Sequence, residues 1–145
     1  MYATTVLDVP KSDMGMLDVL DMATTIVVVT SQELASLRNA TTIAESLRQR
    51  YGAPRVKIVI NRFHRESAIP HEDVERALGG KVKYLLPSDY RSAVDALNAG
   101  RPVVMDTDTK LGSALRALAR DLAGVVKEPV ERPTGVLGRL AWRRA

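Results

Sequence analysis

Residues 25–40 read TIVVVTSQELASLRNA, and a change of period inside this stretch decides the fold. Up to Val29 the residues are mostly β-branched and apolar without alternation, the composition of a strand buried on both faces. From Leu34 onward, apolar residues recur at Leu34, Leu37, Ala40, Ala44, Leu47 and Tyr51, the spacing of one helix face, while Arg38, Glu45, Arg48 and Gln49 fall on the polar side. Between the two, Thr30-Ser31-Gln32-Glu33 has the form of a capping box, in which the Thr30 hydroxyl serves the Glu33 amide and the Glu33 carboxylate reaches back. Gly52 followed by Pro54 ends the helix. A buried strand running directly into an amphipathic helix is the unit from which parallel α/β sheets are built.

The unit recurs in both directions. Upstream, Thr4 to Val9 is a short apolar run closed by Pro10, read as a buried strand, and Met14 to Met22 carries a weaker helical pattern. Downstream, Arg55 to Ile60 predicts a third strand, followed by a polar loop from Asn61 to Ser67, a helix from about Pro70 to Leu78, and a stop at Gly79-Gly80. Val82 to Leu86 predicts the next strand and Pro87-Ser88-Asp89 a turn. Tyr90, Val94 and Leu97 give one face of a helix closed near Gly100, and Pro102 to Met105 a short last strand. Thr109 caps a final helix whose Leu111, Leu115, Leu118, Leu122 and Val125 lie at helical intervals. Strands alternating with helices through short connections imply a mostly parallel sheet with helices on both faces. Residues 1–124 are expected to form this domain, and 125–145, broken by Pro129 and Pro133, a flexible basic tail.

Composition agrees with one α/β core. The chain has 145 residues, 46% hydrophobic and 26% charged, and only 4% are aromatic, which leaves aliphatic residues to fill the space between sheet and helices. There is no cysteine, so disulfide scaffolds, thiolate metal sites and cysteine nucleophiles are excluded. No apolar run approaches the roughly 20 residues that span a bilayer, and the expected setting is the cytoplasm. Of the net charge of +4, the tail contributes +3 through Lys127, Arg132, Arg139, Arg143 and Arg144 against Glu128 and Glu131. The body is nearly neutral and poor in aromatics, which argues against a nucleic-acid surface. His64 and His71 have no ligand partner at metal spacing and read as solvated loop histidines.

Ligands of open parallel sheets bind beyond the carboxyl ends of the strands, which points to Asp8, Thr30, Asn61 and Pro87. Singly, each is an ordinary turn or cap residue. Their order and context carry more: VLDVP at 6–10, VVVTSQELASLRNA at 27–40, IVINRF at 58–63 and LLPSDY at 85–90 followed by ALNAGRPVV at 96–104 together resemble the second half of the ParA/MinD superfamily of P-loop ATPases. The resemblance runs from about Tyr2 to Leu122. The Asp-Val-Pro strand end and the Ser-Leu-Arg-Asn-Ala stretch are most similar to the CpaE/TadZ branch, which serves Flp-type pilus assembly.

The resemblance implies roles. Asp8 would match the Walker B carboxylate, holding Mg²⁺ indirectly through water. Asn61 and Arg62 would frame the adenine of ATP, and Pro87 and Asp89 would close over its other side. Arg62 is equally well a surface residue, and Arg38, near an edge where the superfamily dimerises, also reads as an ordinary solvated helix residue. A phosphate-binding loop needs G-x-x-x-x-G-K-[ST], and the nearest approach, Gly80-Lys81-Val82, has neither the earlier glycine nor the hydroxyl. The expected fold is therefore an incomplete P-loop NTPase lacking its N-terminal strands, inactive alone and without tight affinity for ATP or Mg²⁺. The missing strands are expected to pair beside the Asp8 strand, so the isolated chain should aggregate or pair with another polypeptide.

Functionally, the resemblance implies part of a nucleotide-dependent dimeric switch that positions pilus-assembly proteins, with a homodimer or the missing N-terminal half as partner. A location peripheral to the inner membrane or at a cell pole follows from the same resemblance. Trp142 among Arg139, Arg143 and Arg144 offers a membrane-surface contact, although Arg144 falls in the apolar arc of a helical wheel and Trp142 outside it. The alternatives are a non-enzymatic interaction module derived from the fold and a DNA-partitioning ATPase fragment.

Overall fold

The computed structural model describes residues 4–9, 20–106 and 108–124. Three parallel strands, β1 (Ile26–Ser31), β2 (Val56–Phe63) and β3 (Tyr84–Pro87), stand in the sheet in their chain order. Four helices follow or connect them: α1 (Leu34–Tyr51), α2 (His71–Ala77), α3 (Tyr90–Asn98) and α4 (Lys110–Leu122).

Strands that advance across a sheet in one direction through right-handed crossovers place their connecting helices on the same face. The core obeys this. Leu37, Ala40, Ala44 and Leu47 of α1 pack with Val74 of α2 and the adjoining Leu78 against Ile26, Val28, Val56, Ile58 and Ile60. The opposite face is covered by α4, whose Leu111 packs with Val59, Tyr84 and Leu86, with Leu115 and Leu118 at the margin. Helices thus lie on both faces, as the sequence implied. The second cover extends over β2 and β3 only, leaving Val27 and Val29 of β1 36% and 60% exposed.

Side chains on α1 fasten the two helices of the first face. Thr41 Oγ1 and Arg48 donate to the carbonyls of Ala77 and Leu78 at the end of α2, satisfying acceptors that a helix leaves open at its C-terminus. Gly79 follows at φ +69°, a left-handed conformation suited to glycine. On the other face Asp121 accepts from Lys83 and from the Tyr84 hydroxyl, tying α4 to β3. Those two bonds, that from Lys83 first, hold the Asp121 carboxyl below its ordinary range. Thr109 caps α4 by accepting from the Gly112 amide at 3.0 Å, as expected.

Several expectations are corrected. Thr4–Val9 is not a strand: none of the three strands pairs with it, and Val6 is 88% exposed. An extended segment without a neighbour has no ladder in which to satisfy its amides. The capping box does not form, because β1 continues through the pairs Thr30↔Ile60 and Ser31↔Asn61. The Thr30 hydroxyl donates to the Ser31 carbonyl instead, and α1 begins at Leu34 after an uncapped Glu33. Leu34 is consequently 59% exposed rather than part of the buried face. In α3 the buried residue is Ala96, while Tyr90 and Leu97 face solvent. Pro102–Met105 is not a strand, since Val103–Met105 forms a 3₁₀ turn fixed by Arg116, which donates to the carbonyls of Val104 and Asp106. β2 also continues three residues beyond Ile60, into the expected loop. Of the helix expected over Met14–Met22, only residues 20–22 are described, with Leu20 and Asp21 helical. Val125 and the tail lie outside the described residues.

Candidate functional site

The carboxyl ends of the three strands converge on one rim of the sheet. Along β2, Ile60 pairs with Leu85 and Phe63 with Pro87, so three steps on β2 answer two on β3. The extra residue is a bulge, a device that re-aims side chains at a strand end. It falls on Asn61 and Arg62. Arg62 takes φ +53°, the one non-glycine residue with positive φ among those described, and its amide donates to Asn61 Oδ1 at 2.9 Å. The Asn61 amide nitrogen has no hydrogen-bond partner among the described residues, and both residues are exposed.

Asn61 and Arg62 form one end of an open groove of about 460 Å³. Its long sides are β1, from Val28 to Ser31, and the flank of α1 carrying Ser36, Asn39, Ala40 and Ile43, spaced by three or four residues. Its polar groups are hydroxyls and amides, with Glu33 and Arg62 the only charges. Another hollow, of about 500 Å³, lies on the loop His64–Ser67.

Gln32 holds the adjoining loop. Its side chain is buried, donating through Nε2 to the Ile69 carbonyl at 2.8 Å and accepting the His64 amide at 3.0 Å through Oε1. The segment that leaves the bulge is thereby fastened to the end of β1. Sequence reasoning placed Gln32 in the capping box and assigned it no such part. A buried glutamine bridging two distant backbone groups has no periodic signal.

The other expected site residues are placed differently. Pro87 ends β3, next to which the Ser88 amide donates to the Phe63 carbonyl at 3.0 Å. Asp89 caps α3, accepting from the Ser92 hydroxyl at 2.7 Å and the Ser92 amide at 3.1 Å. These two bonds, the hydroxyl first, hold its carboxyl below the usual range. Neither Pro87 nor Asp89 lines the groove, and Asp8, exposed in the unpaired Thr4–Val9 segment, does not line it either. His71 is the first residue of α2 rather than a loop residue. Its Nε2 lies 3.3 Å from Glu75, its ring meets Phe63 edge-on, and its Nδ1 is buried without a hydrogen-bond partner among the described residues.

The donor set tests which parts of a nucleotide these residues suit. Hydroxyls and carboxamides are able to read a base edge or a ribose. No glycine-rich loop ending in Lys-Ser or Lys-Thr occurs in the sequence, and no group of three or more His, Asp or Glu stands at metal-binding distance among the described residues. The groove's lining thus offers hydroxyls and carboxamides, groups that suit a base or ribose edge, and no lysine among them. Among the described residues no helix is long and apolar enough to cross a membrane.

A parallel sheet sandwiched by helices, with its candidate site at the carboxyl rim, is a nucleotide-type α/β architecture, and the fold is part of a ParA/MinD-type P-loop NTPase domain. A ParA family ATPase from Chlorobium tepidum TLS matches with a TM-score of 0.66 at 23% identity over 74% of this chain and 45% of that one. MinD in the MinC:MinD cell division complex of Aquifex aeolicus matches with a TM-score of 0.67 at 24% identity, over 83% of this chain and 51% of that one. In sequence, the chain is homologous to a Mesostigma viride protein named as septum site-determining protein MinD, with 30% identity over 146 residues, 96% of this chain and 50% of the relative. No protein-family model matches. The chain spans about half the length of the curated relatives it matches.

Proposed function

We propose that this chain supplies the base-recognising half of a ParA/MinD-type, nucleotide-dependent dimeric switch, and that ATP and Mg²⁺ are held only when the phosphate-binding half is joined to it. The observation that carries the reading is the bulge that turns Asn61 and Arg62 outward at the carboxyl end of β2. In this reading Asn61 Nδ2 donates to the adenine edge, Arg62 stacks on or pairs beside it, and Pro87 and Asp89, which lie outside the groove, close over the base from the β3 side. Asp8, in the unpaired Thr4–Val9 segment, would contact Mg²⁺ through water in the joined domain.

Two pieces of sequence context bear on what the switch positions. The stretches at 6–10 and 36–40 favour the CpaE/TadZ type and the localisation of pilus-assembly proteins at the inner membrane or a cell pole. The MinD names of the sequence relatives favour placement of a division septum. Both uses share a nucleotide-dependent dimer on the cytoplasmic side.

The test is a titration with a fluorescent ATP analogue. The chain alone is expected to show no saturable binding at micromolar ligand. Co-expressed with the unmatched half of the Mesostigma viride relative, it should bind, and Asn61→Ala should weaken that binding about tenfold, equivalent to about 1.4 kcal/mol. A complex that binds inorganic triphosphate as well as ATP, with no effect of Asn61→Ala, would refute base recognition at this rim.

A further inference from the structure

From β3 the chain runs through Asp89 into α3. This helix buries Ala96 and leaves the side chains of Tyr90, Ala93 and Leu97 in solvent, with Tyr90 and Leu97 81% and 78% exposed. Spaced by three and four residues, the three lie on one stripe. Met105, also exposed, belongs to the 3₁₀ turn packed beside α3. Single apolar residues at a surface are ordinary, whereas a row of them marks a contact. None of the residues lining the groove belongs to α3, so the stripe is a separate surface from the one assigned to the base. Arg91 stands two residues before Ala93 and Asp95 two after it, both exposed and in loose contact with each other at 4.0 Å. The charges beside the stripe are therefore placed symmetrically about its middle, with opposite sign.

We infer that α3 seats the α3 of a second copy of this chain, antiparallel to it about a two-fold axis through Ala93. Isologous pairing needs a surface complementary to itself, and the charge order selects this occupant. Reversing one helix brings Arg91 of each copy level with Asp95 of the other. A parallel pair would set Arg91 against Arg91, and a partner of a single sign would match only one of the two charges. At a rise of 1.5 Å per residue, Tyr90 of one copy then stands about 1.5 Å from the level of Leu97 of the other, so ring and leucine cover each other on both sides of the axis. Ala93, small and central, lets the two backbones approach. α3 has nine residues, so the contact falls below the roughly 1,200 Å² of stable complexes, and the pair forms at high local concentration. It needs no nucleotide and does not rest on the proposed function.

The chain has no cysteine, which makes a single introduced thiol a clean probe of the full chain without nucleotide. In Ala93→Cys the two thiols meet across the axis. Air oxidation should link them into a dimer at least tenfold faster than in Ala68→Cys, whose thiol is exposed on the loop after β2. Adding Arg91→Asp to Ala93→Cys should slow the linkage at least fivefold, and adding Asp95→Arg to that variant should restore it, because the charges are then exchanged rather than lost. Leu97→Glu should slow it as much. Positions 91, 93, 95 and 97 are all exposed, so each variant should keep the circular dichroism of the parent. An Ala93→Cys rate equal to that of Ala68→Cys, a rate indifferent to Arg91→Asp or Leu97→Glu, as pairing through another surface would give, or a charge exchange that fails to restore it overturns the inference.

Discussion

Replacing Gln32 by alanine tests whether the rim of the sheet is held as described. The substitution deletes two hydrogen bonds, to the His64 amide and the Ile69 carbonyl, and leaves both backbone groups seeking water at a partly buried place. At about 0.5–1.5 kcal/mol net for each bond, the loss is about 1–3 kcal/mol. With a urea m-value of about 1–3 kcal/mol/M for a small domain, the unfolding midpoint should fall by about 1 M. Gln32→Glu sharpens the test. Its carboxylate still accepts from His64 but faces the Ile69 carbonyl without a proton to donate, so burial and that carbonyl raise the carboxyl pKa in the folded state. A raised folded pKa means that the penalty is absent below the unfolded value of about 4.3 and grows as pH rises through the folded value. Gln32→Glu should therefore approach the parent in stability near pH 4 and lie well below it at pH 7. A midpoint shift under about 0.2 M for Gln32→Ala, or a pH-independent deficit for Gln32→Glu, would refute the bridging role.

Three further outcomes are expected. Thr109→Ala removes the cap on Gly112 and should lower stability by about 1 kcal/mol in thermal melts. Gly112→Ala places a methyl group 2.4 Å from the Asp106 carbonyl oxygen, against rigid backbone, and should cost about 1–3 kcal/mol by the same measurement, where a helix-interior Gly→Ala change would ordinarily stabilise. Asp89 should titrate below its usual value by carboxyl NMR and return toward it in Ser92→Ala. Because the folded pKa is depressed, the cap's contribution is present above the unfolded pKa near 3.8 and disappears as pH falls through the folded value.

Periodic patterns were the legible part of this protein. The strand at Ile26–Val29, the face Leu37–Ala40–Ala44–Leu47 and the stop at Gly52 are local in origin, and so was the parallel topology they imply, whereas the expected burial of that strand on both faces fails at Val27 and Val29. What depended on partners was not legible. Thr30 and Glu33 have the spacing of a capping box, but pairing of Thr30 with Ile60 draws the first of them into the ladder. Thr4–Val9 has strand composition and no strand beside it. Val103–Met105 has apolar residues that a distant arginine, Arg116, gathers into a 3₁₀ turn. At the rim, Asn61 and Arg62 stood out through family resemblance, whereas the bulge that presents them is a register shift, three steps on β2 against two on β3, that only the pairing of the strands reveals.

The agreement between strand order in the sheet and strand order in the chain also bears on how the protein is made. Each strand finds its neighbour within about one crossover, so the loop closures are short ones and the sheet is able to grow strand by strand as the polypeptide leaves the ribosome. Among the described strands, none has to wait for a later one to be inserted between its neighbours. Among the described residues growth in that direction runs from β1 to β3, and each newly added strand becomes the edge on which the next one pairs.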